Sequence, residues 1–151
     1  ARAIGVSNFY PDRFIDLAKF CEIKPAVNQM ETHVFNQQVK LQEIMKKEGT
    51  QLMSWGPFAE GRNNFFTNEV LEAIGRQYGK SVAQVALRFL IQRGIIVIPK
   101  STHKERMIEN FNVFDFTLSA EEMEAIGRLD KAESLFFSHY NPEFVEFLIN
   151  L

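Results

Sequence analysis

Four short apolar segments constrain this chain more than any other feature. Residues 3–7, 25–30, 51–55 and 95–98 run with little polar alternation, and such runs read as strands of a parallel sheet covered by helices. Stretches with helical spacing separate them. Pro11 opens a helix to about Cys21, with Phe14, Leu17, Ala18 and Cys21 on one face, so Cys21 reads as a core residue. After a loop through residues 32–36, residues 37–48 carry Val39, Leu41, Ile44 and Met45 and stop at Gly49, the usual place for a C-terminal cap. Helices over 68–78 and 82–92 stop at Gly79 and Gly94, and Ser81 with Gln84 gives the second a capping box. Ser119 and Glu122 open another helix, to about Leu129, before a tail rich in aromatic residues. Strand followed by helix, four times over, implies a parallel sheet covered by helices, with right-handed crossovers. A doubly wound sheet and a barrel both satisfy that pattern.

The fourth unit carries the most chemistry. Residues 95–98 are β-branched and end at Pro99, which removes a ladder donor and disfavours helix for the residue before it. This strand is expected to be fully buried. The helix over 104–110 follows, and Arg106, Glu109 and Asn110 share one of its faces at i, i+3 and i+4. Lys100, Ser101 and Thr102 stand between strand and helix. Ligands of α/β folds bind beyond the carboxyl ends of the strands, and a helix N-terminus favours anions. A phosphate monoester fits this place.

Composition narrows the function further. At 151 residues the chain is expected to form one domain over 1–151. A net charge of −2 with scattered basic residues argues against nucleic acid as a partner. No apolar run approaches the roughly 18 residues of a membrane span, and no signal peptide opens the chain. One cysteine cannot form an internal disulfide, so a reducing, cytoplasmic setting is expected. No Cys/His cluster has metal spacing, and His33, His103 and His139 read as isolated surface or loop residues. The doubly wound dinucleotide signature is missing because no G-x-G occurs, and P-loop, G-x-S-x-G and H-E-x-x-H are absent too. The chain opens on Ala1-Arg2-Ala3, directly in a strand-like pattern, which reads as a fragment or a processed chain.

Four motifs in order carry a family resemblance: Gly5-Val6-Ser7-Asn8-Phe9; Asn28-Gln29-Met30-Glu31 followed by His33; Ser54-Trp55-Gly56-Pro57-Phe58-Ala59-Glu60-Gly61; and Ile98-Pro99-Lys100-Ser101 with Arg106 and Glu109-Asn110. Together they resemble the aldo-keto reductase family, in the style of its bacterial 2,5-diketogluconate reductase and prostaglandin F synthase members. The resemblance implies a TIM (β/α)8-barrel, of which this chain holds the last four βα units plus C-terminal helices. It implies NADP(H) as cofactor and a small-molecule carbonyl compound as substrate. A full barrel needs roughly 200 residues or more, so the missing N-terminal half, or a second copy, is expected to complete it. The family's catalytic Asp, Tyr, Lys and His belong to earlier strands, and no catalytic residue is assigned here.

The cofactor-binding residues the resemblance implies are Ser7, Asn8, Gln29, Trp55, Gly56, Pro57, Phe58, Gly61, Lys100, Ser101, Thr102, Arg106, Glu109 and Asn110. Ser7, Asn8 and Gln29 offer the donors and acceptors a carboxamide needs; read alone, Ser7-Asn8 equally fits a turn capping the helix at Pro11. Trp55 offers a face on which a nicotinamide stacks, worth roughly 0.5 to 1.5 kcal/mol beyond burial; a lone Trp equally fits a core. The loop 56–61 resembles the family's belt over the pyrophosphate, with Glu60 an awkward neighbour that should point away or act as a latch. Lys100, Ser101 and Arg106 favour NADP over NAD, because each hydrogen bond to a charged group contributes roughly 1.5 to 3 kcal/mol. In the resemblance Arg106 also stacks on adenine, and Glu109 and Asn110 reach its amino edge. A solvated basic helix is the plainer alternative. Phe136, Phe137, His139, Tyr140 and Phe144 either line a substrate pocket or pack as a helix against the barrel.

Overall fold

A computed structural model describes residues 1–151. Four parallel strands, β1 (Gly5–Ser7), β2 (Val27–Glu31), β3 (Gln51–Trp55) and β4 (Ile96–Val97), lie in the order β1-β2-β3-β4. Helix α1 (Pro11–Phe20) links β1 to β2 and α2 (Val39–Glu48) links β2 to β3. Between β3 and β4 come a 3-10 stretch (Ala59–Thr67), α3 (Glu69–Tyr78) and α4 (Val82–Gln92), and α5 (Lys104–Phe111), α6 (Ala120–Gly127) and α7 (Pro142–Ile149) complete the chain.

The expected punctuation is present. Pro11 is the first residue of α1, Gly49 and Gly79 end α2 and α3 in the left-handed region, and both capping boxes form, Ser81 with Gln84 and Ser119 with Glu122. Helix α4 buries Val82, Val85, Ala86, Leu87, Phe89 and Leu90, more than one face, because α3 and α5 flank it while β4 lies beneath. Gly75 lets the α3–α4 turn close: a Cβ there would stand 2.4 Å from the Lys80 carbonyl oxygen.

The register divides the sheet into two unlike faces. Val6, Asn28 and Leu52 form one row and Met30, Ser54 and Val97 another, and these rows face the helices. There Met30 and Leu52 meet Phe14 of α1 and Leu41 and Met45 of α2 in one core. Asn28, fully buried among them, is satisfied by the backbone of Phe9, donating to its carbonyl at 2.7 Å. The opposite face presents the row Ser7, Gln29, Met53, Ile96 and has no layer of helices over it.

Two expectations are corrected here. The fourth strand is a two-residue edge strand, not a fully buried one: Ile95 is buried, but Ile96 is 37% and Ile98 47% exposed. Nothing pairs beyond β4 or covers its inner face, so the β-branched run has only β3 to hold it. Cys21 is also not core. It caps α1 at intermediate exposure, donating its N–H to Leu17 O at 2.9 Å, because the apolar face of α1 is already closed by Phe14 and Ala18.

Candidate functional site

The carboxyl ends of the strands face one side of the molecule, and two clusters of the predicted residues gather there. The first is a cleft of about 640 Å³ lined by Gly56, Pro57, Phe58 and Gly61 on one wall and by Lys100, Ser101, Thr102, Arg106, Glu109 and Asn110 on the other. Glu60, Phe66 and residues at the start of α4 complete it. Segments some forty residues apart in sequence thus enclose one space.

Each wall has a local cause. Gly56 (φ 62°) and Gly61 (φ 77°) turn the loop where left-handed backbone is required. Ala59 and Glu60 adopt the same region without a glycine's freedom, at a cost of order 1 kcal/mol each. Ala59 N–H to Gly56 O at 2.8 Å and Gly61 N–H to Phe58 O at 2.9 Å hold the loop in that shape. Glu60 lines the cleft rather than pointing away from it. On the other wall Ser101 Oγ accepts the N–H of His103 at 3.1 Å, turning the chain into α5. His103, exposed as expected, gives α5 no side-chain cap, so the first-turn N–H groups have no side-chain partner there. Lys100 and Arg106 are exposed and take part in no ion pair. Glu109 is already engaged: its carboxylate accepts from Ser81 Oγ and its carbonyl from Gln84 Nε2 at 3.1 Å. It fastens α5 to the N-terminus of α4.

The second cluster holds the other four predicted residues, Ser7, Asn8, Gln29 and Trp55, none of which lines that cleft. Trp55 Nε1 donates to Asn8 Oδ1 at 2.9 Å, Asn8 N–H donates to Gln29 O at 2.9 Å, and Ser7 Oγ donates to Gln29 O at 3.0 Å. The residue before α1 is Tyr10, and no side chain caps that helix, so capping by Ser7-Asn8 does not occur. Asn8 is left-handed (φ 59°), a conformation Asn tolerates better than most residues. Trp55 is half-buried, stacked by Phe137 at 5.8 Å and met edge-on by Phe136 at 5.2 Å. The aromatic tail therefore packs beside Trp55 through residues 136–139, whereas α7 beyond it has no buried residue.

His33 is the third correction. It is neither at the surface nor isolated: it is 0% exposed, and its Nε2 lies 2.9 Å from Oε1 of Glu31, itself 5% exposed. Nδ1 accepts the Phe35 N–H at 3.2 Å, leaving Nε2 to donate to the carboxylate. Glu31 also accepts from Ser134 Oγ and, at 2.9 Å, from the Leu135 N–H. Burial is the largest influence on its carboxyl and pushes it up, but the bonds from His33, Ser134 and Leu135 outweigh that and hold it below its ordinary value. The available signal was the Glu-x-His spacing at a strand end; Ser134 and Leu135, about a hundred residues on, carried none.

The model of the aldo/keto reductase family matches residues 1–131. The chain belongs to that family. It is 46% identical over 129 residues to aldose reductase C of Dictyostelium discoideum, covering 85% of this chain and 40% of that protein. It is 47% identical over 132 residues to glyoxal reductase of Bacillus subtilis, covering 87% and 47%. Among solved structures, an aldo-keto reductase from a Medee basin deep-sea metagenome library superposes with a TM-score of 0.89 at 39% identity, over 93% of this chain and 52% of that one. A Bombyx mori aldo-keto reductase in complex with NADP gives 0.80 at 38%, over 88% and 46%. This aldo-keto reductase chain thus spans about half the length of the relatives it matches, and its four-stranded parallel sheet corresponds to part of their barrel. None of its helices is long and apolar enough to cross a membrane.

Proposed function

We propose that this chain carries the NADP(H)-binding part of an aldo-keto reductase that reduces an aldehyde or ketone when its barrel is complete. The observation that carries this reading is the single cleft joining the 56–61 loop to Lys100, Ser101 and Arg106. Exposed cations beside a helix N-terminus suit a 2′-phosphate, and a loop with left-handed backbone at residues 59–61 suits close approach of a pyrophosphate. In the same proposal Thr102 stands at the phosphate, Arg106 lies against the adenine with Asn110 at its edge, and Gly56, Pro57, Phe58 and Gly61 close over the pyrophosphate. Glu109 contributes chiefly by holding α5. Trp55 supplies the stacking face for the nicotinamide, and Ser7, Asn8 and Gln29 supply its amide partners. When bound, the cofactor supplies a hydride to the carbonyl carbon. The uncovered sheet face and the unpaired edges β1 and β4 favour completion of the barrel by further chain or by a second copy. A reducing, cytoplasmic setting belongs to the same reading.

Trp55 is the chain's one tryptophan, so its fluorescence reports the proposed ring end. Titration with NADPH is expected to quench it saturably while an aldehyde brings about no NADPH oxidation by these 151 residues alone. Unchanged emission at millimolar NADPH would contradict the binding reading. Turnover would contradict the placing of the catalytic groups outside residues 1–151.

A further inference from the structure

The tail turn at residues 134–137 is held from two sides by groups of opposite charge. From β2, the Glu31 carboxylate accepts the Leu135 N–H at 2.9 Å and the Ser134 hydroxyl. From the 3-10 stretch, Arg62 donates through Nη1 to the Leu135 carbonyl oxygen and lays its guanidinium over the Phe136 ring, 4.2 Å from the centroid. Both backbone polar groups of Leu135 are thereby engaged by side chains about a hundred and about seventy residues away. Ser134 Oγ also accepts the N–H groups of Phe136 and Phe137, each at 3.0 Å, so the turn is fixed internally as well. Its product is the placing of Phe136 edge-on and Phe137 flat against Trp55.

We propose that Glu31 and Arg62 are positioning residues that grip Leu135 and so set Phe136 and Phe137 as the wall of the Trp55 end of the site. His33 supports the grip from below, donating to Glu31 from a fully buried position. The grip joins three parts of the molecule that share no sequence neighbourhood: the end of β2, the segment following the 56–61 loop, and the tail. Beyond the turn the tail is held separately by Tyr10, whose hydroxyl accepts the His139 N–H at 3.2 Å and whose ring meets those of His139 and Tyr140 edge-on, so the grip governs residues 134–137 and not the whole tail. A carbonyl compound beside Trp55 then meets an aromatic wall rather than water. The inference rests on the proposed role of Trp55 as the ring-stacking residue.

Amide exchange and Trp55 emission, both measured without cofactor, test it in Glu31→Ala and Arg62→Ala. Glu31→Ala is expected to speed exchange at Leu135 by about tenfold or more and to shift Trp55 emission to the red. Arg62 is exposed, so Arg62→Ala leaves the buried pair and the core untouched and is expected to give the same red shift with a smaller change in exchange. In Arg62→Ala the amides of Asn28 and Leu52 should keep their protection, which general loosening would not allow. Unaltered Trp55 emission in Arg62→Ala overturns the proposal, whether or not Glu31→Ala folds. So does unaltered Leu135 protection in a folded Glu31→Ala protein. NADPH titration of the unaltered chain tests the role of Trp55 separately, so a failure of that reading is distinguishable from a failure of the grip.

Discussion

The two ends of the site are built on opposite principles. At the Lys100–Arg106 end the cations are exposed and take part in no ion pair, and the first turn of α5 has no side-chain cap. At the Trp55 end the polar groups satisfy one another: Asn8 with Trp55, Ser7 with Gln29, Glu31 with His33, Ser134 and Leu135. An end left unsatisfied is available to a ligand and contributes little to folding, while an end whose polar groups satisfy one another around a buried pair, Glu31 and His33, contributes to folding first. Substitutions should therefore separate into those that weaken binding and those that weaken the fold.

His33→Ala should give the largest effect. It leaves the buried Glu31 carboxylate without its imidazole donor and opens a cavity, for an expected loss of about 3 to 5 kcal/mol in denaturant unfolding. The Lys100→Ala/Arg106→Ala pair is next and opposite in kind. Two charged hydrogen bonds at roughly 1.5 kcal/mol or more each predict a loss of NADPH affinity of about 100-fold, with unfolding free energy held within about 0.5 kcal/mol. Should that pair destabilise the chain as His33→Ala does, the division between the two ends fails. Glu109→Ala sharpens it, because Glu109 lines the cleft yet bonds Ser81 and Gln84. A stability loss of about 1 kcal/mol is expected as the Ser81 hydroxyl loses its acceptor.

The smallest expected effect lies away from both ends and serves as a control. Lys19 at 2.6 Å and Lys24 at 2.8 Å hold the Glu48 carboxyl down from 4.5 to about 2. A carboxyl depressed in the folded state adds stability that is fully present above its unfolded value and is lost as pH falls from about 4.5 through about 2. Glu48→Gln should flatten that acid limb of the stability profile and leave NADPH binding at neutral pH unchanged.

How far each end could be read from sequence follows from the same contrast. Lys100, Ser101, Thr102, Arg106, Glu109 and Asn110 lie within eleven consecutive residues, and helical spacing alone puts the last members on one face. The α/β rhythm, the helix caps and the parallel order were legible for the same reason, being local. At the Trp55 end Ser7, Asn8, Gln29 and Trp55 were legible too, but the wall beside them is assembled from residues 31, 33, 62 and 134–137, and no local period links those. His33 therefore read as isolated, although its partner was two residues away on the same side of the strand end. The exposure of Ile96 and Ile98 was hidden differently. Their β-branched pattern records a strand suited to neighbours on both sides, and in this chain only β3 is there to pair with it.

Calorimetric titration of NADPH and NADH into the unaltered chain and into the Lys100→Ala/Arg106→Ala variant is the most direct test of the proposed cofactor cleft. The predicted result is tighter binding of NADPH than of NADH by about 100-fold in the unaltered chain, with the advantage gone in the variant. Equal affinity for the two cofactors in the unaltered chain, or an NADPH preference that survives the double substitution, would contradict it.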